Sequence, residues 1–518
     1  MQRTVAPFGV QILGELNEGQ ALHAVIDSGA HWIRVGVEWR TLAPQDVPVA
    51  QYQWSAYDAT LRNIGVNGLR AIAVLGGNPT WAADFSRGPV HKVSWARWAE
   101  YIRAVVQRYR VEPYNVKHWE IYNEPDAADW FDSQGNRRAA YGDRPEEYIH
   151  ALKVAHETIK ALDPQAIVIF GGIAYDAFTD DPSPGFFTRS FLERVLDGGA
   201  SQYFDWMNFH YYPTFEWRWS FPQKVQALKQ LLQRRGLKQP LICTEIGFSS
   251  EPAHGGSAQA QAAKVVQLFT RGIAEQLDVM IWYTLADYGN LNDFYSFFGL
   301  LDVYGKPKSS WTAFRVMSRQ LTGWRFIERL GVAPPALEGY VFANATGQRQ
   351  YVIWSNDNHA YPMTLQNMLE VTTLAGERSF QGRQGSSVNV TIGGVPIFIR
   401  EVPPVTPTPT ATPKPTATMA PTSTPSPSPT SSPTLTSTPT PTTTSTLPPP
   451  PIPSPTTTPT MLAVTQAVAS SVPVTPASTN PGVTRTDSGL NYVLILCVGL
   501  LMIGGVGYLW KHKWSRSS

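Results

Sequence analysis

Residues 119–126 are Trp-Glu-Ile-Tyr-Asn-Glu-Pro-Asp, and residues 241–248 are Leu-Ile-Cys-Thr-Glu-Ile-Gly-Phe. Each is a short apolar run suited to a buried strand, and each carries a glutamate, Glu124 and Glu245, where the strand should stop. A carboxylate at the end of a buried strand costs free energy unless it has partners or a task. The two stretches lie far apart in the chain, so any shared task requires a fold that brings strand ends together.

The surrounding pattern supplies such a fold. Strands are predicted at Phe8–Ile12, His31–Val37, Arg70–Leu75, Val116–Ile121, Ala166–Phe170, Trp206–His210, Pro240–Glu245 and Val279–Thr284. Helical stretches lie among them at Gln20–Ser28, Trp95–Tyr109, Pro145–Leu162, Phe186–Leu196, Pro222–Arg235 and Ala258–Glu275, and Ser309–Leu321 follows the last strand. Eight such units predict an α/β chain folded as a (β/α)8 TIM barrel over residues 1–322. A doubly wound sheet is the rival, but no Gly-x-Gly-x-x-Gly follows the first strand. In a barrel of this kind chemistry sits at the C-terminal ends of the strands. A pair of carboxylates there is the minimum equipment for cleaving a glycosidic bond, one protonating the leaving oxygen and the other attacking the sugar carbon.

Beyond Trp324 the apolar period changes to two, with Gly, Asn and Asp turns between short runs. Residues 323–403 are therefore predicted to form a small β-sandwich-like domain packed on the barrel, with a structural role. Residues 404–488 are Pro, Thr and Ser with almost no charge, a disordered Pro/Thr linker with an upper reach on the order of 200 Å. Leu490–Trp510 is uncharged and long enough for one transmembrane helix within residues 489–511, with Tyr492, Tyr508 and Trp510 near its ends. Lys511, Lys513 and Arg516 follow, which assigns residues 512–518 to the cytoplasm and the barrel to the outside of a cell membrane. No charged segment followed by an apolar one precedes the first strand as an export signal would. A start further upstream, a signal removed from the chain and a tail-anchored cytoplasmic enzyme all accommodate this; the long spacer favours the extracytoplasmic arrangement.

Composition excludes other classes. A net charge of +2 offers no electrostatic footprint for nucleic acid. The two cysteines, Cys243 and Cys497, fall in separate segments and make no disulfide framework or cysteine metal site. His23, His31 and His254 lack ligand spacing, so no metal and no cofactor are expected. No feature points to a protein partner. The 17 tryptophans suit sugar-stacking platforms as well as a core.

Asn-Glu-Pro after the fourth strand, His210-Tyr-Tyr212 at the sixth and Thr-Glu-Ile-Gly at the seventh resemble the retaining glycoside hydrolases of clan A. Residues 34–39, Arg-Val-Gly-Val-Glu-Trp, and 52–58, Tyr-Gln-Trp-Ser-Ala-Tyr-Asp, are most similar to bacterial family 39, with family 5 cellulase-like proteins close behind. The resemblance spans residues 8–320. It implies that Glu124 is the general acid/base and Glu245 the nucleophile. It further implies that Arg34 lies against the nucleophile, that Asn123 bonds the sugar 2-hydroxyl, and that Tyr212 donates to the nucleophile with His210 near the acid/base. Trp282 would be the aromatic floor under the reacting sugar, and Trp39, Trp81 and Asp287 are weaker cleft candidates. The chain departs from the pattern at residues 76–81, Gly-Gly-Asn-Pro-Thr-Trp, and in an insert over residues 126–143. Family members act on xylosides, glucans, mannans and uronates, so the sugar is not implied. A transglycosylase shares the same residues. A non-catalytic carbohydrate-binding or adhesion barrel would have no need of the glutamate pair.

Overall fold

The computed structural model describes residues 6–402, apart from residues 18, 129, 132–136, 176–186, 214–219, 291–293, 332–334, 358, 366 and 383–386. Eight parallel strands form one sheet: β1 (Phe8–Gln11), β2 (Trp32–Glu38), β3 (Arg70–Gly76), β4 (His118–Ile121), β5 (Ile167–Phe170), β6 (Met207–Tyr211), β7 (Leu241–Ile246) and β8 (Met280–Trp282). The order is β5-β4-β3-β2-β1-β8-β7-β6. Between β5 and β6 the ring closes through isolated parallel bridges, Ile169 with Trp206 and Ile173 with Phe209. The result is a nearly closed (β/α)8 barrel.

One longer helix follows each strand: α1 (Gln20–Ser28), α2 (Ser55–Val66), α3 (Trp95–Tyr109), α4 (Pro145–Leu162), α5 (Phe191–Asp197), α6 (Phe221–Arg234), α7 (Ala258–Ala274) and α8 (Ser309–Leu321). Their ends follow from local chemistry. α4 begins with proline and places Glu146 and Glu147 in its first turn, where the helix dipole favours anions. α6 opens with a capping box between Ser220 and Gln223.

The barrel interior is layered. At the N-terminal end Trp32, His118 and Trp206 form a ring cluster, with Trp32 and His118 centroids 4.9 Å apart. Above them Ile72, Ile169, Ile242 and Ile281 make a buried apolar plug. Polar side chains take over only at the C-terminal ends, where Gln11, Arg34, Glu120, Asn208 and Thr244 are all buried.

A six-stranded antiparallel sheet follows the barrel, built from β9 (Arg325–Arg329), β10 (Leu337–Ala343), β11 (Arg349–Ser355), β13 (Met368–Thr372), β14 (Arg378–Gln381) and β16 (Ile397–Val402), in the order β9-β10-β11-β16-β13-β14. A separate ribbon pairs β12 (Tyr361–Leu365) with β15 (Val388–Ile392). Alternation explains the packing. Tyr340, Phe342, Val352, Trp354 and Phe398 face the barrel core, while Val341, Tyr351, Ile353 and Ile399 face the ribbon. Arg271 of α7 clamps Glu338 of β10 at 2.6 and 2.8 Å and lies 5.3 Å from the Trp354 ring. The linker and the apolar run Leu490–Trp510 lie outside the described residues. Among the described residues no helix is long and apolar enough to cross a membrane.

Candidate active site

β4 ends in a backbone that few sequences adopt. Tyr122 and Glu124 both have left-handed φ, 61° and 47°, a conformation that costs about 1–3 kcal/mol per residue. Local contacts compensate. The Tyr122 N–H donates to Leu75 O at 2.8 Å and its hydroxyl to Asn78 Oδ1 at 2.9 Å, while its ring stacks on Trp98 at 5.0 Å. Asn123 and Glu124 thereby both reach the charged cluster at the barrel mouth.

Glu245 comes from the end of β7 and is held at both oxygens. Arg34 Nη1 donates to Oε1 at 2.5 Å and the Tyr212 hydroxyl to Oε2 at 2.6 Å. Glu124 Oε1 lies 3.1 Å from His210 Nδ1, and Arg87 Nη1 donates to Oε2 at 3.2 Å. His210 Nδ1 is also 3.4 Å from Glu245 Oε2. One atom from each of Glu124, His210 and Glu245 therefore lies within 4.8 Å of the others. The nearest oxygens of the two glutamates thus approach within 4.8 Å, which the roughly 5–5.5 Å carboxyl separation of a double displacement allows. Such spacing also suits a cation; here the guanidinium groups of Arg34 and Arg87 supply the positive charge.

Burial pushes the Glu124 carboxyl above its ordinary range, with the Arg87 charge opposing. Arg34 is fully enclosed; burial works against its charge, but the carboxylates of Glu120 and Glu245 outweigh that and raise it. Glu120 takes Arg34 in a bidentate grip at 2.9 and 2.7 Å, Gln11 accepts from Nη1 at 2.7 Å and Asn123 Oδ1 from Nη2 at 2.6 Å. Asn123 Nδ2 is buried and has no hydrogen-bond partner among the described residues, the kind of orphan that a ligand oxygen satisfies. Asp126 anchors the turn after Glu124 by accepting from the Ala174 and Tyr175 amides, and burial pushes it up to about 7.

Six of the residues named from sequence thus converge: Glu124, Glu245, Arg34, Asn123, His210 and Tyr212. The others do not. Trp282 exposes no ring face; it points outward into the helix layer, completely buried, with its indole N–H on Phe298 O at 2.9 Å. Strand parity is the reason, since Val279 and Ile281 face the barrel interior and Trp282 lies between that set and the next inward residue, Tyr283. Tyr283, just past the end of β8, is the aromatic that meets Tyr212, at 6.0 Å, with Tyr295 5.2 Å from Tyr212. Trp39 is also completely buried, stacked on Tyr101 at 5.2 Å. Half-buried Trp81 donates to Ala43 O and packs edge-on to Trp39. Asp287 is occupied by Lys308 at 2.9 Å and the Gly299 amide at 2.7 Å; burial raises it to about 6.

Sequence reasoning missed Glu120, Gln11, Arg87, Asn208, Thr244 and Tyr283. Glu120 carried a usable signal, a carboxylate amid a buried strand that requires an internal cation.

Comparison with known proteins agrees with the barrel fold. The family model described as cellulase (glycosyl hydrolase family 5) matches residues 3–289. A family 39 glycoside hydrolase from Bacteroides cellulosilyticus WH2 superposes with a TM-score of 0.59 at 18% identity, over 76% of this chain and 81% of that one. A family 39 β-xylosidase from Caulobacter crescentus gives 0.54 at 18%, over 77% and 97%, and the endo-β1,6-glucanase BT3312 gives 0.54 at 15%, over 77% and 92%. At these identities the likeness is one of fold. No curated protein matches the chain.

Proposed function

The chain belongs to the cellulase family, glycosyl hydrolase family 5, and from that premise we propose that it hydrolyses β-glycosidic bonds of poly- or oligosaccharides with retention of configuration. The observation that carries the proposal is the approach of Glu124 and Glu245 oxygens to within 4.8 Å at the ends of β4 and β7. Glu245 is the nucleophile and Glu124 the general acid/base. Arg34 and Tyr212 hold one Glu245 oxygen each, which aims the carboxylate for attack on the anomeric carbon. Glu124, whose proton burial favours, gives that proton to the leaving oxygen. Covalent bonding then removes the Glu245 charge. With that neighbour gone, Arg87 favours the carboxylate form of Glu124, which suits its second task of taking a proton from the attacking water. The unpartnered Asn123 Nδ2 is placed to donate to the sugar 2-hydroxyl. Half-buried Tyr295, with Tyr283 packed behind it, replaces Trp282 as the aromatic surface beside the sugar.

The relatives' names span a cellulase, a β-xylosidase and an endo-β1,6-glucanase, so the substrate class proposed is a β-linked glucan or xylan. The full chain should release reducing sugar from one of these, or aglycone from an aryl β-glycoside, while Glu245→Gln should not. Proton NMR of the first product should show the β-anomer; an α-anomer would exclude double displacement. Sugar transfer to an added acceptor in preference to water would make it a transglycosylase. The proposed place of action is a cell surface, with residues 404–488 as tether and Leu490–Trp510 as anchor. Detergent partitioning that persists after deletion of residues 489–518 would refute the anchor.

A further inference from the structure

We propose that Asn208 and Thr244 hold His210 in the tautomer with its proton on Nδ1, so that a neutral imidazole donates into the space between Glu124 and Glu245. The importance of that donor rests on the catalytic reading of the two glutamates; the tautomer itself does not.

The hydrogen bonds run in one direction. The Thr244 backbone N–H donates to Asn208 Oδ1 at 3.1 Å, which fixes which end of that amide is oxygen. Nδ2 then donates to Thr244 Oγ1 at 2.7 Å. The Thr244 hydroxyl has one proton, and among the described residues the acceptor within reach is His210 Nε2 at 3.2 Å. Nε2 is thus an acceptor, and the single proton of the neutral ring sits on Nδ1, 3.1 Å from Glu124 Oε1 and 3.4 Å from Glu245 Oε2. The opposite tautomer would turn a lone pair towards the Glu245 carboxylate.

The fold builds this arrangement deliberately. Pairing between β6 and β7 slips where Phe209 faces Cys243 but His210 faces Glu245, so Thr244 is skipped and both Thr244 and Glu245 reach His210. Asn208, Thr244 and His210 are all buried. Gly172 leaves the space the ring needs, since a Cβ there would lie 2.0 Å from Nε2. Lys224 Nζ donates to the His210 carbonyl at 2.7 Å. Charged groups face the ring from several elements: Glu124 and Glu120 from β4 and its end, Glu245 from β7, Arg34 from β2 and Lys224 from α6. Burial dominates among them and pulls the imidazole down to about 4, so it stays neutral. Asn208 and Thr244 touch neither reacting group and are positioning residues.

The test uses the full chain with nitrogen-15 histidine and two-bond proton–nitrogen correlation spectra, His210 being assigned by its loss in His210→Gln. The wild-type ring should show its proton on Nδ1. Thr244→Val, which keeps the shape without the hydroxyl, should shift the ring to the Nε2–H form or a mixture. It should also lower kcat/KM at least about tenfold and alter the pH–rate profile, because a ring lone pair would then replace the donor between the two carboxyl groups. Thr244→Ser should restore the spectrum and the profile. A wild-type proton on Nε2 overturns the proposal, and so does a Thr244→Val chain with unchanged spectrum and profile. If Thr244→Val fails to fold, the wild-type and Thr244→Ser spectra still decide. A chain with no glycosidase activity would refute the proposed function while its tautomer could still be read.

Discussion

Two histidines, one half-buried and one buried, lie at opposite ends of the same barrel interior, and desolvation keeps both neutral. His118, at the N-terminal end, is pushed down to about 3 and packs between Trp32 and Trp206. His210, at the C-terminal end, is pushed down to about 4 and meets two carboxylates and a threonine hydroxyl. The residue type and its charge state are shared. The neighbours differ: rings and isoleucines below, ion pairs above. One end of the barrel stores stability and the other holds aligned charge. Substitutions at the two ends should therefore affect different measurements.

The largest effect should come from the top. Glu245→Ala should lower kcat by roughly 10⁴–10⁶-fold on every substrate without loss of thermal stability, since it relieves a buried charge cluster of one carboxylate beside Glu120. Azide should restore turnover with inverted configuration by filling the vacated space. Rescue with retention would reverse the roles of the two glutamates. Next in size, Glu124→Ala should cost about 10²–10⁴-fold on poor leaving groups. Acidic phenyl glycosides should still form the covalent intermediate, and azide should then give retained product. Equal losses on good and poor leaving groups would remove Glu124 from proton transfer.

From the bottom, Ile242→Ala should destabilise the fold by about 2–5 kcal/mol through cavity formation, read by denaturant unfolding. The kcat of the folded enzyme should stay at the wild-type value; a parallel loss would show that the two ends are coupled. The smallest effect should follow Arg87→Ala. Arg87 opposes protonation of Glu124, so its removal raises the pH at which that proton is lost. The basic limb of the kcat/KM profile should move to higher pH, and a downward move would contradict the pairing.

The sequence was most legible where one local pattern has one structural solution. α1, α3, α4 and α8 begin and end where their apolar spacing and end residues place them. The glutamates stood out because a carboxylate ending an apolar run has few structural explanations. Less was readable where burial is two-sided. The run at β8 is apolar on both faces, so its phase is invisible, and Trp282 was assigned to the mouth in place of Tyr283. α2 went unnoticed, and so did β9, whose side chains are mostly exposed and lack a clean alternation.

By itself, then, the chain determined the alternation of strands and helices, the positions of Glu124 and Glu245 at strand ends, and the family likeness. Those are properties of local apolar spacing and of residue types with narrow uses. Tertiary structure alone decided which side chains share the barrel mouth. Arg34 meets Glu120 across 86 residues and Glu245 across 211, and Thr244 meets His210 only because β7 slips one residue against β6. Such contacts depend on register and strand parity, and a displacement of one residue turns a side chain from the barrel mouth to the helix layer.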